Sequence, residues 1–251
     1  MDIKNEYGNK AIHEKLLQVL SEFDRICKVY NIMYSLHGGT LLGAERDGKL
    51  IPWDDDADVS MRRSDFDKLV ECSEFDSSFS VEKELWVTRF CKTIGEECVR
   101  IDVFVWDGIS ESKICSFLKI NLLRFIQGMM KKENTYDAMN LFQKLLSWIT
   151  HIIGLPFSLE KKQRMFEKVG KEFFLGKKRF IHRSNDSFHG VKQIMDAEYM
   201  EEYGTIELEG HIFCVNKRYK EFLIKEYGEN YLTPPPIDKR VINHGHFRSY
   251  S

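Results

Sequence analysis

The spacing of apolar residues predicts a long helix near the start of the chain and several strands after it. Apolar positions recur every three or four residues over residues 10–30, as in an amphipathic helix. Beyond this segment, short runs alternate between apolar and polar residues, as strands with one buried face do. Strands are predicted at residues 32–36, around 50–59, at 85–94 and at 98–106, with a turn at Gly95 between the last two.

The second half of the chain has a helical pattern. A short helix is predicted from Ser64 to about residue 72, and from about residue 111 the spacing is helical almost to the end. Breaks are expected near Asn134, Pro156 and Gly176. We therefore expect an α+β fold in a single domain over residues 1–251. Within it, residues 1–110 form a small mixed-sheet core, and residues 111–251 form a mainly helical part that covers the site.

Candidate chemistry is concentrated in an acidic segment that follows Ile51-Pro52-Trp53. On an extended chain, Asp54, Asp56 and Asp58 share one face, and Asp55 points to the other. Carboxylates this close repel one another unless a cation lies between them. Three oxygen ligands on one face suit a hard divalent cation such as Mg²⁺. The segment is therefore predicted to hold a metal ion.

A solvated loop and an EF-hand are the alternatives to a metal-binding strand for the acidic segment. A solvated loop is the usual place for a run of charges, but such loops seldom lie beside Pro-Trp and a hydrophobic strand. An EF-hand loop requires Gly at its sixth position and Glu at its twelfth. Here those positions are Val59 and Asp65, which excludes an EF-hand.

A glycine pair and a third acid complete the pattern. Gly38-Gly39 follows the first predicted strand, and glycines at a strand-to-helix junction let the backbone and the helix N-terminus approach phosphate. The pair precedes Asp56 and Asp58 at the spacing of a nucleotidyltransferase-type fold. That fold also needs an acid on a neighbouring strand. Asp102 supplies it, in an otherwise apolar alternating run where an unpaired structural carboxylate would be costly.

These motifs together resemble the LicD family, which includes bacterial phosphocholine transferases and the fukutin and fukutin-related proteins. The resemblance rests on Gly38–Ala44, Arg46, Ile51–Val59, Ile101–Phe104 and Tyr227–Pro236. It spans most of the chain and is specific around residues 36–61 and 226–240. There are two departures from the family pattern. Asp47-Gly48-Lys49 follows Arg46 where the family often has His-Lys-Gly, and Asn216 replaces a proline that is usual before the penultimate helix. The first departure bears on the substrate more than on the chemistry.

The resemblance implies a phosphotransferase with a CDP-activated donor, CDP-choline in the best-known members. The acceptor would be a sugar hydroxyl of a cell-surface glycan, which could be built on a lipid carrier. Mg²⁺, with Mn²⁺ as an alternative, would be held by Asp54, Asp56, Asp58 and Asp102. Asp102 would hold a second metal ion, act as general base, or do both.

Several residues are expected to bind the donor. The backbone at Gly38, Gly39 and Thr40 would contact phosphate oxygens, and Arg46 could pair with them in a bidentate manner. His37 would contact the nucleotide or serve a structural role. The proline run at 234–236 is expected to fold back over the site, so that Lys239 or Arg240 binds the diphosphate. His244 and His246 are a weaker metal-binding candidate.

Three functional hypotheses stay open. The first is transfer of a phospho-alcohol, with phosphocholine favoured and ribitol phosphate, glycerol phosphate or aminoethyl phosphonate as alternatives. The second is a true nucleotidyltransferase that uses the same acids. The third is a non-catalytic glycan- or nucleotide-binding domain, which is disfavoured because no member of the acid set is missing.

Composition and charge indicate which partners the protein binds and in which cellular compartment it is expected. A net charge of -2 and a pI near 6.5 argue against non-specific electrostatic binding of nucleic acid. The 6 cysteines form no Cys-x-x-Cys pair, and free thiols in a reducing cytosol are expected. The first residues have no apolar signal-peptide core. We therefore expect a cytoplasmic protein.

Residues 113–132 are the segment of the chain that could contact a membrane. Their charges exclude a transmembrane span, but a basic amphipathic helix could lie in the bilayer interface. A core helix with a solvated basic edge is the favoured interpretation of the same pattern. An interfacial helix would place the protein at the inner face of the membrane.

Overall fold

The computed structural model describes residues 9–131, 141–173 and 178–240, without the side chains of residues 75, 141–143, 178 and 239. Its helices are α1 (Lys10–Val29), α2 (Gly38–Asp47), α3 (Arg63–Phe75), α4 (Lys113–Met130), α5 (Leu141–Gly154), α6 (Leu159–Glu172) and α7 (Tyr219–Tyr227). Its strands are β1 (Ser35–Leu36), β2 (Asp58–Arg62), β3 (Ser80–Glu84), β4 (Val87–Ile94), β5 (Glu97–Ser110), β6 (Lys178–Arg183), β7 (Ile194–Asp196), β8 (Tyr203–Leu208) and β9 (His211–Asn216). The predicted α+β class is confirmed.

The chain forms two compact units. The described residues of the first unit are 9–82, 89–103 and 198–240, and those of the second are 83–88, 104–131, 141–173 and 178–197. The prediction of a single domain with its division at residue 110 is not tested by this partition. The long strand β5 contributes its first half to the first unit and its second half to the second.

The first unit is built on a sheet with the strand order β1-β2-β5-β4-β3. β1 is antiparallel to β2, with Ser35 opposite Ser60. Helix α1 covers this sheet with its apolar face. The ring of Phe23 packs edge-on against Tyr34 and Phe90, with ring centroids 5.0 and 5.1 Å away. Edge-to-face rings add to the burial of apolar area, so this cluster anchors the helix on the sheet.

The second unit combines three helices with a small part of the sheet. β6 pairs antiparallel with the end of β5, and β7 pairs with β6. The core between α4 and α6 contains Leu123, Ile126, Met129, Met130 and Phe166. The buried ammonium group of Lys119 donates to the carbonyls of Gly108 and Gly170, at 2.8 and 2.7 Å. In the described ranges no helix has the length and apolar character that crossing a bilayer requires.

Several elements match the sequence expectation and others do not. α1 and the β4–β5 hairpin lie where they were predicted. The expectation of helices almost to the end is wrong after residue 172, because β6 to β9 follow. In β8–β9 the turn at Glu209-Gly210 has positive φ at both residues, 51° and 79°, as a tight hairpin turn requires. The predicted start of a helix at Ser64 is also wrong by one residue, because α3 begins at Arg63. No side chain caps the N-terminus of α3.

A buried histidine in the second unit makes stability depend on pH. His182 Nδ1 donates to the Val191 carbonyl at 3.0 Å. Burial, followed by the nearby ammonium of Lys119, lowers the pKa of His182 to about 4, although the Val191 hydrogen bond and the charge of Asp107 oppose the change. In the unfolded chain the same group titrates near 6.5. The unfolded state therefore binds more protons between these two values, and acid favours unfolding there.

We predict that stability falls as the pH is lowered from about 6.5 to about 4, with up to ~3 kcal/mol from this one group. His182→Gln should flatten the dependence of the melting temperature on pH over this range. The matched control is His211→Gln, since His211 is exposed on β9. Equal pH slopes for wild type and His182→Gln would contradict the prediction.

Candidate active site

The acidic segment before β2 is extended and alternates between two environments. Asp55, Ala57 and Val59 are buried. Asp54, Asp56 and Asp58 are partly exposed. The predicted separation of these side chains onto two faces is therefore present. However, regular strand structure begins only at Asp58, so the expectation that all three acids lie on a paired strand is wrong.

The first turn of α2 lies directly against two of these carboxylates. Gly38 has φ of 52°, and a Cβ there would collide with Asp58 Oδ2. A Cβ at Gly39 would collide with Asp54 Oδ2 in the same way. The N-terminus of a helix carries partial positive charge and free N–H groups, which stabilise nearby anions. Both glycines therefore permit the acids to approach the helix. A contact between the glycines and phosphate stays a prediction.

Thr40 and His37 hold the backbone of Asp58. The Asp58 N–H donates to Thr40 Oγ1 at 2.9 Å, and the His37 N–H donates to the Asp58 carbonyl at 3.0 Å. The His37 ring is 2% exposed and packs on Phe222, with ring centroids 4.3 Å apart. Of the two roles expected for His37, the structural one agrees with this position. Thr40 likewise positions the acid through its side chain.

Two residues that the sequence did not single out brace the loop before the acids. Asn9 Nδ2 donates to the carbonyls of Pro52 and Asp54, at 3.2 and 3.3 Å. His13 Nε2 donates to the Asp54 carbonyl at 2.7 Å. Polar residues one turn apart at the start of a surface helix are common, so the sequence offered no signal for this role. The start of α1 thus fixes the conformation that presents Asp54.

Asp102 lies on β5 next to the acidic segment. Its N–H donates to the Ala57 carbonyl at 2.9 Å, which places it beside the chain between Asp56 and Asp58. Ile101 and Val103 are buried on the core face of β5. Since side chains alternate along a strand, Asp102 projects to the opposite, less buried face, as Asp56 and Asp58 do. The structure therefore brings the two acidic segments together.

Arg89 on β4 is a further site residue that sequence reasoning missed. Its Nε lies 2.9 Å from Asp102 Oδ1, and the two side chains are only 11% and 13% exposed. Such a pair stabilises the ionised form of the carboxylate. A signal was present in the hairpin pattern, because a short turn at Gly95 brings Arg89 opposite Asp102. Without the turn geometry, however, that register could not be chosen.

The acids are electrostatically strained. Burial is the largest cause and the neighbouring Asp56 carboxylate, which shares a hydrogen bond with Asp54, is the next; together they raise the pKa of Asp54 to about 8. A divalent cation would relieve this repulsion, and carboxylate oxygens are the ligands that Mg²⁺ prefers. The residues present therefore fit a bound Mg²⁺ or Mn²⁺.

Cationic side chains flank the acidic segment at Trp53. The guanidinium carbons of Arg46 and Arg240 lie 5.7 and 4.8 Å from the ring centroid of Trp53. Arg46 also pairs with Asp47 at 2.8 Å, and Arg240 Nε donates to the Pro235 carbonyl at 3.0 Å. The C-terminal block thus reaches the residue before Asp54. The Lys239 side chain, His244 and His246 lie outside the described residues.

A separate cluster of possible ligands lies on β3, β4 and β5. The ligand atoms of Glu82, Cys91 and Cys98 all lie within 4.8 Å of one another. Burial, reinforced by Glu82, raises the pKa of Cys91 to about 12, so this thiol is protonated at neutral pH. All six cysteines are free thiols, as expected.

The chain is similar in sequence to known proteins. The family model for the LicD/FKTN/FKRP nucleotidyltransferase domain matches residues 31–159, which include the glycine pair, the acidic segment and Asp102. The chain is also 28% identical over 247 residues to the lipopolysaccharide cholinephosphotransferase LicD of Haemophilus influenzae. This alignment covers 89% of the present chain and 91% of that protein.

The Arg89–Asp102 pair is predicted to be a strong contributor to stability. Arg89→Met should lower the free energy of unfolding by about 2–4 kcal/mol, because a largely desolvated carboxylate loses its ion-pair partner. The double variant Arg89→Met/Asp102→Leu should recover part of this loss. Chemical denaturation of the four proteins of the cycle measures both effects.

The matched control for this cycle is Arg164→Met. Arg164 and Glu160 form an exposed pair on α6, with side chains 70% and 78% exposed, so its removal should change stability by less than about 0.5 kcal/mol. A loss for Arg89→Met as small as that of the control would show that the buried pair does not contribute as stated.

Proposed function

Because this chain belongs to the LicD/FKTN/FKRP family of nucleotidyltransferase domains, we propose that it is a metal-dependent phosphotransferase. It moves a phospho-alcohol, phosphocholine in the first instance, from a CDP-activated donor to a hydroxyl of a cell-surface glycan and releases CMP. The observation that carries the proposal is the approach of Asp54 and Asp58 to the first turn of α2, with Asp102 hydrogen-bonded to Ala57 between Asp56 and Asp58. The relative from Haemophilus influenzae, named as a lipopolysaccharide cholinephosphotransferase, supports the choice of head group and acceptor.

The acids serve to hold divalent cations. Asp54, Asp56 and Asp58 would bind Mg²⁺ or Mn²⁺, with Asp102 as a further ligand. The bound cation would neutralise the donor diphosphate and make its phosphorus more electrophilic. Asn9 and His13 keep the loop of Asp54 in place, and Thr40 and the backbone of His37 do the same for Asp58. These contacts hold the backbone of the acidic segment in the conformation that presents Asp54 and Asp58.

The transfer itself needs a proton acceptor and a leaving group. The acceptor hydroxyl attacks the phosphorus that bears the alcohol, its new P–O bond forms, and the bond to the CMP oxygen breaks. Asp102 accepts the hydroxyl proton in the mechanism where it acts as general base. Arg89, whose Nε lies 2.9 Å from Asp102 Oδ1, orients this carboxylate.

The donor phosphates are assigned to the basic groups near Trp53. Arg240 and Arg46 lie on this ring, and Trp53 directly precedes the first acid. An arginine can pair with phosphate oxygens through two parallel hydrogen bonds. Arg46 is already engaged by Asp47 and nearly buried, so Arg240 is the better candidate for the diphosphate. Lys239 stays a candidate from the sequence.

The acids are predicted to be essential for turnover. Asp56→Asn and Asp58→Asn should each reduce CMP release from CDP-choline by at least about 100-fold, because each removes a negative ligand from the site. The control is Asp67→Asn, a carboxylate on the surface of α3 that should leave the rate within about twofold. A nearly unchanged rate in Asp56→Asn would favour a non-catalytic binding domain.

Doubly labelled donor separates the two enzymatic hypotheses. With label on both the head group and the nucleotide, head-group label on the glycan together with free CMP supports the proposal. Nucleotide label on the acceptor would instead identify a true nucleotidyltransferase. A panel of CDP-choline, CDP-ribitol, CDP-glycerol and CMP-aminoethyl phosphonate identifies the transferred group.

Divalent cations should also stabilise the fold without turnover. Mg²⁺ or Mn²⁺ at 100 times its dissociation constant should add about 2.7 kcal/mol to the free energy of unfolding. The effect should disappear with a chelator and in the double variant Asp56→Asn/Asp58→Asn, and persist in Asp67→Asn. Thermal melts with and without CDP measure it, and an equal cation response in the double variant would place the metal elsewhere.

A further inference from the structure

Helix α5 is oriented with its polar side inward. Ser147, Thr150, His151 and Gly154 recur at helical spacing and face the rest of the second unit, with Thr150 only 4% exposed. Its large apolar residues point outward and are between 39% and 57% exposed: Leu145, Leu146, Trp148, Ile149, Ile152 and Ile153. An amphipathic helix of a water-soluble protein has the reverse arrangement. The apolar face of α5 therefore lacks an intramolecular partner among the described residues.

Close packing holds α5 in this orientation. A Cβ at Gly128 of α4 would collide with the Thr150 side chain, and a Cβ at Gly154 would lie 2.8 Å from the Met129 carbonyl. The Thr150 hydroxyl donates to the Ser147 carbonyl at 2.9 Å, so its burial leaves no unsatisfied donor. Contacts through small residues are typical of helices whose outer surface faces lipid. Rotating α5 would place Trp148 or Ile152 where only glycine and threonine fit.

The apolar surface continues beyond α5. Leu155 and Leu159, which follow it, are 65% and 47% exposed. At the start of α4, Ile114, Phe117 and Leu118 are also exposed. By contrast, the later part of α4 is a core helix, with Leu123, Ile126 and Met129 buried. Most of the predicted segment 113–132 is thus the core helix that the sequence favoured, and the strongly exposed apolar side chains of α4 lie in its first turns; Lys132 lies outside the described residues.

The charge around this surface favours one kind of partner. Residues 113–131 and 141–155 contain no aspartate or glutamate, and their basic residues are Lys113, Lys119, Arg124, Lys131 and Lys144. Lys119 is buried, but Lys113 and Lys144 are exposed at the starts of α4 and α5. A second copy of this chain on the same surface would bring like charges together. A bilayer with anionic lipid matches both the apolar face and the cations.

We propose that the outward face of α5, together with the first turns of α4, docks in the interface of a membrane that contains anionic lipid. With 14 residues, α5 is about 21 Å long, shorter than the hydrocarbon core of a bilayer, so it lies along the surface. Trp148 is suited to the boundary between headgroups and acyl chains. This proposal is independent of the proposed function.

Vesicle flotation of the full chain tests the proposal. Wild type should float with phosphatidylcholine vesicles that contain a quarter phosphatidylglycerol, and bind vesicles of phosphatidylcholine alone at least tenfold more weakly. The triple variant Leu145→Ser/Trp148→Ser/Ile152→Ser removes the centre of the apolar face and should lose at least tenfold in partitioning. Its melting temperature should be unchanged, because these side chains are exposed. Lys113→Glu/Lys144→Glu should weaken binding to the anionic vesicles alone.

Ile212→Ser and Ile237→Ser are the matched controls, since each removes an exposed isoleucine, 55% and 74% exposed, outside this surface. They should float like wild type. Failure of the wild type to bind anionic vesicles, or equal flotation of the triple variant, would overturn the proposal. So would a dimer in solution that the triple variant converts to monomer while vesicles bind neither protein, because that result assigns the face to a second copy.

Discussion

The close approach of carboxylates to the first turn of α2 is the constraint from which the site follows. Gly38 and Gly39 leave room for Asp58 and Asp54 at the positive end of the helix. A larger residue at either glycine would displace one of these acids. Acids placed farther from the first turn would lose the stabilising effect of the partial positive charge at the helix N-terminus. The chain before β2 stays extended because its alternate residues, Asp55 among them, are buried.

The surrounding structure holds this approach from several directions. Thr40 and the His37 backbone fix Asp58, while Asn9 and His13 fix the loop that leads to Asp54. These contacts come from the start of α1 and the start of α2, both in the first unit. The carboxylates gathered in this way repel one another: burial, followed by the charge of Asp56, raises the pKa of Asp54 to about 8. The sheet beneath the acids is held by other contacts, such as the packing of Phe23 on Tyr34 and Phe90.

The features that the sequence predicted are those that depend on local pattern. α1 was predictable from its 3.6-residue period, and the two faces of the acidic segment from the two-residue period. The role of Arg89 was not, because it depends on hairpin register. The brace by Asn9 and His13 depends on contacts between residues more than forty positions apart. β8 and β9 were missed although Glu209-Gly210 is a turn signal, since the surrounding charges obscured the alternation.

The residues that hold Trp53 and Asp54 come from both extremities of the described chain. Asn9 contacts the loop from one extremity, and Arg240 lies on Trp53 from the other. Affinity tags or fluorescent fusions joined close to either residue would therefore crowd the acidic segment. The exposed hairpin loop at Gly95-Glu96, where glycine has positive φ and open space around it, is a better attachment point for a probe.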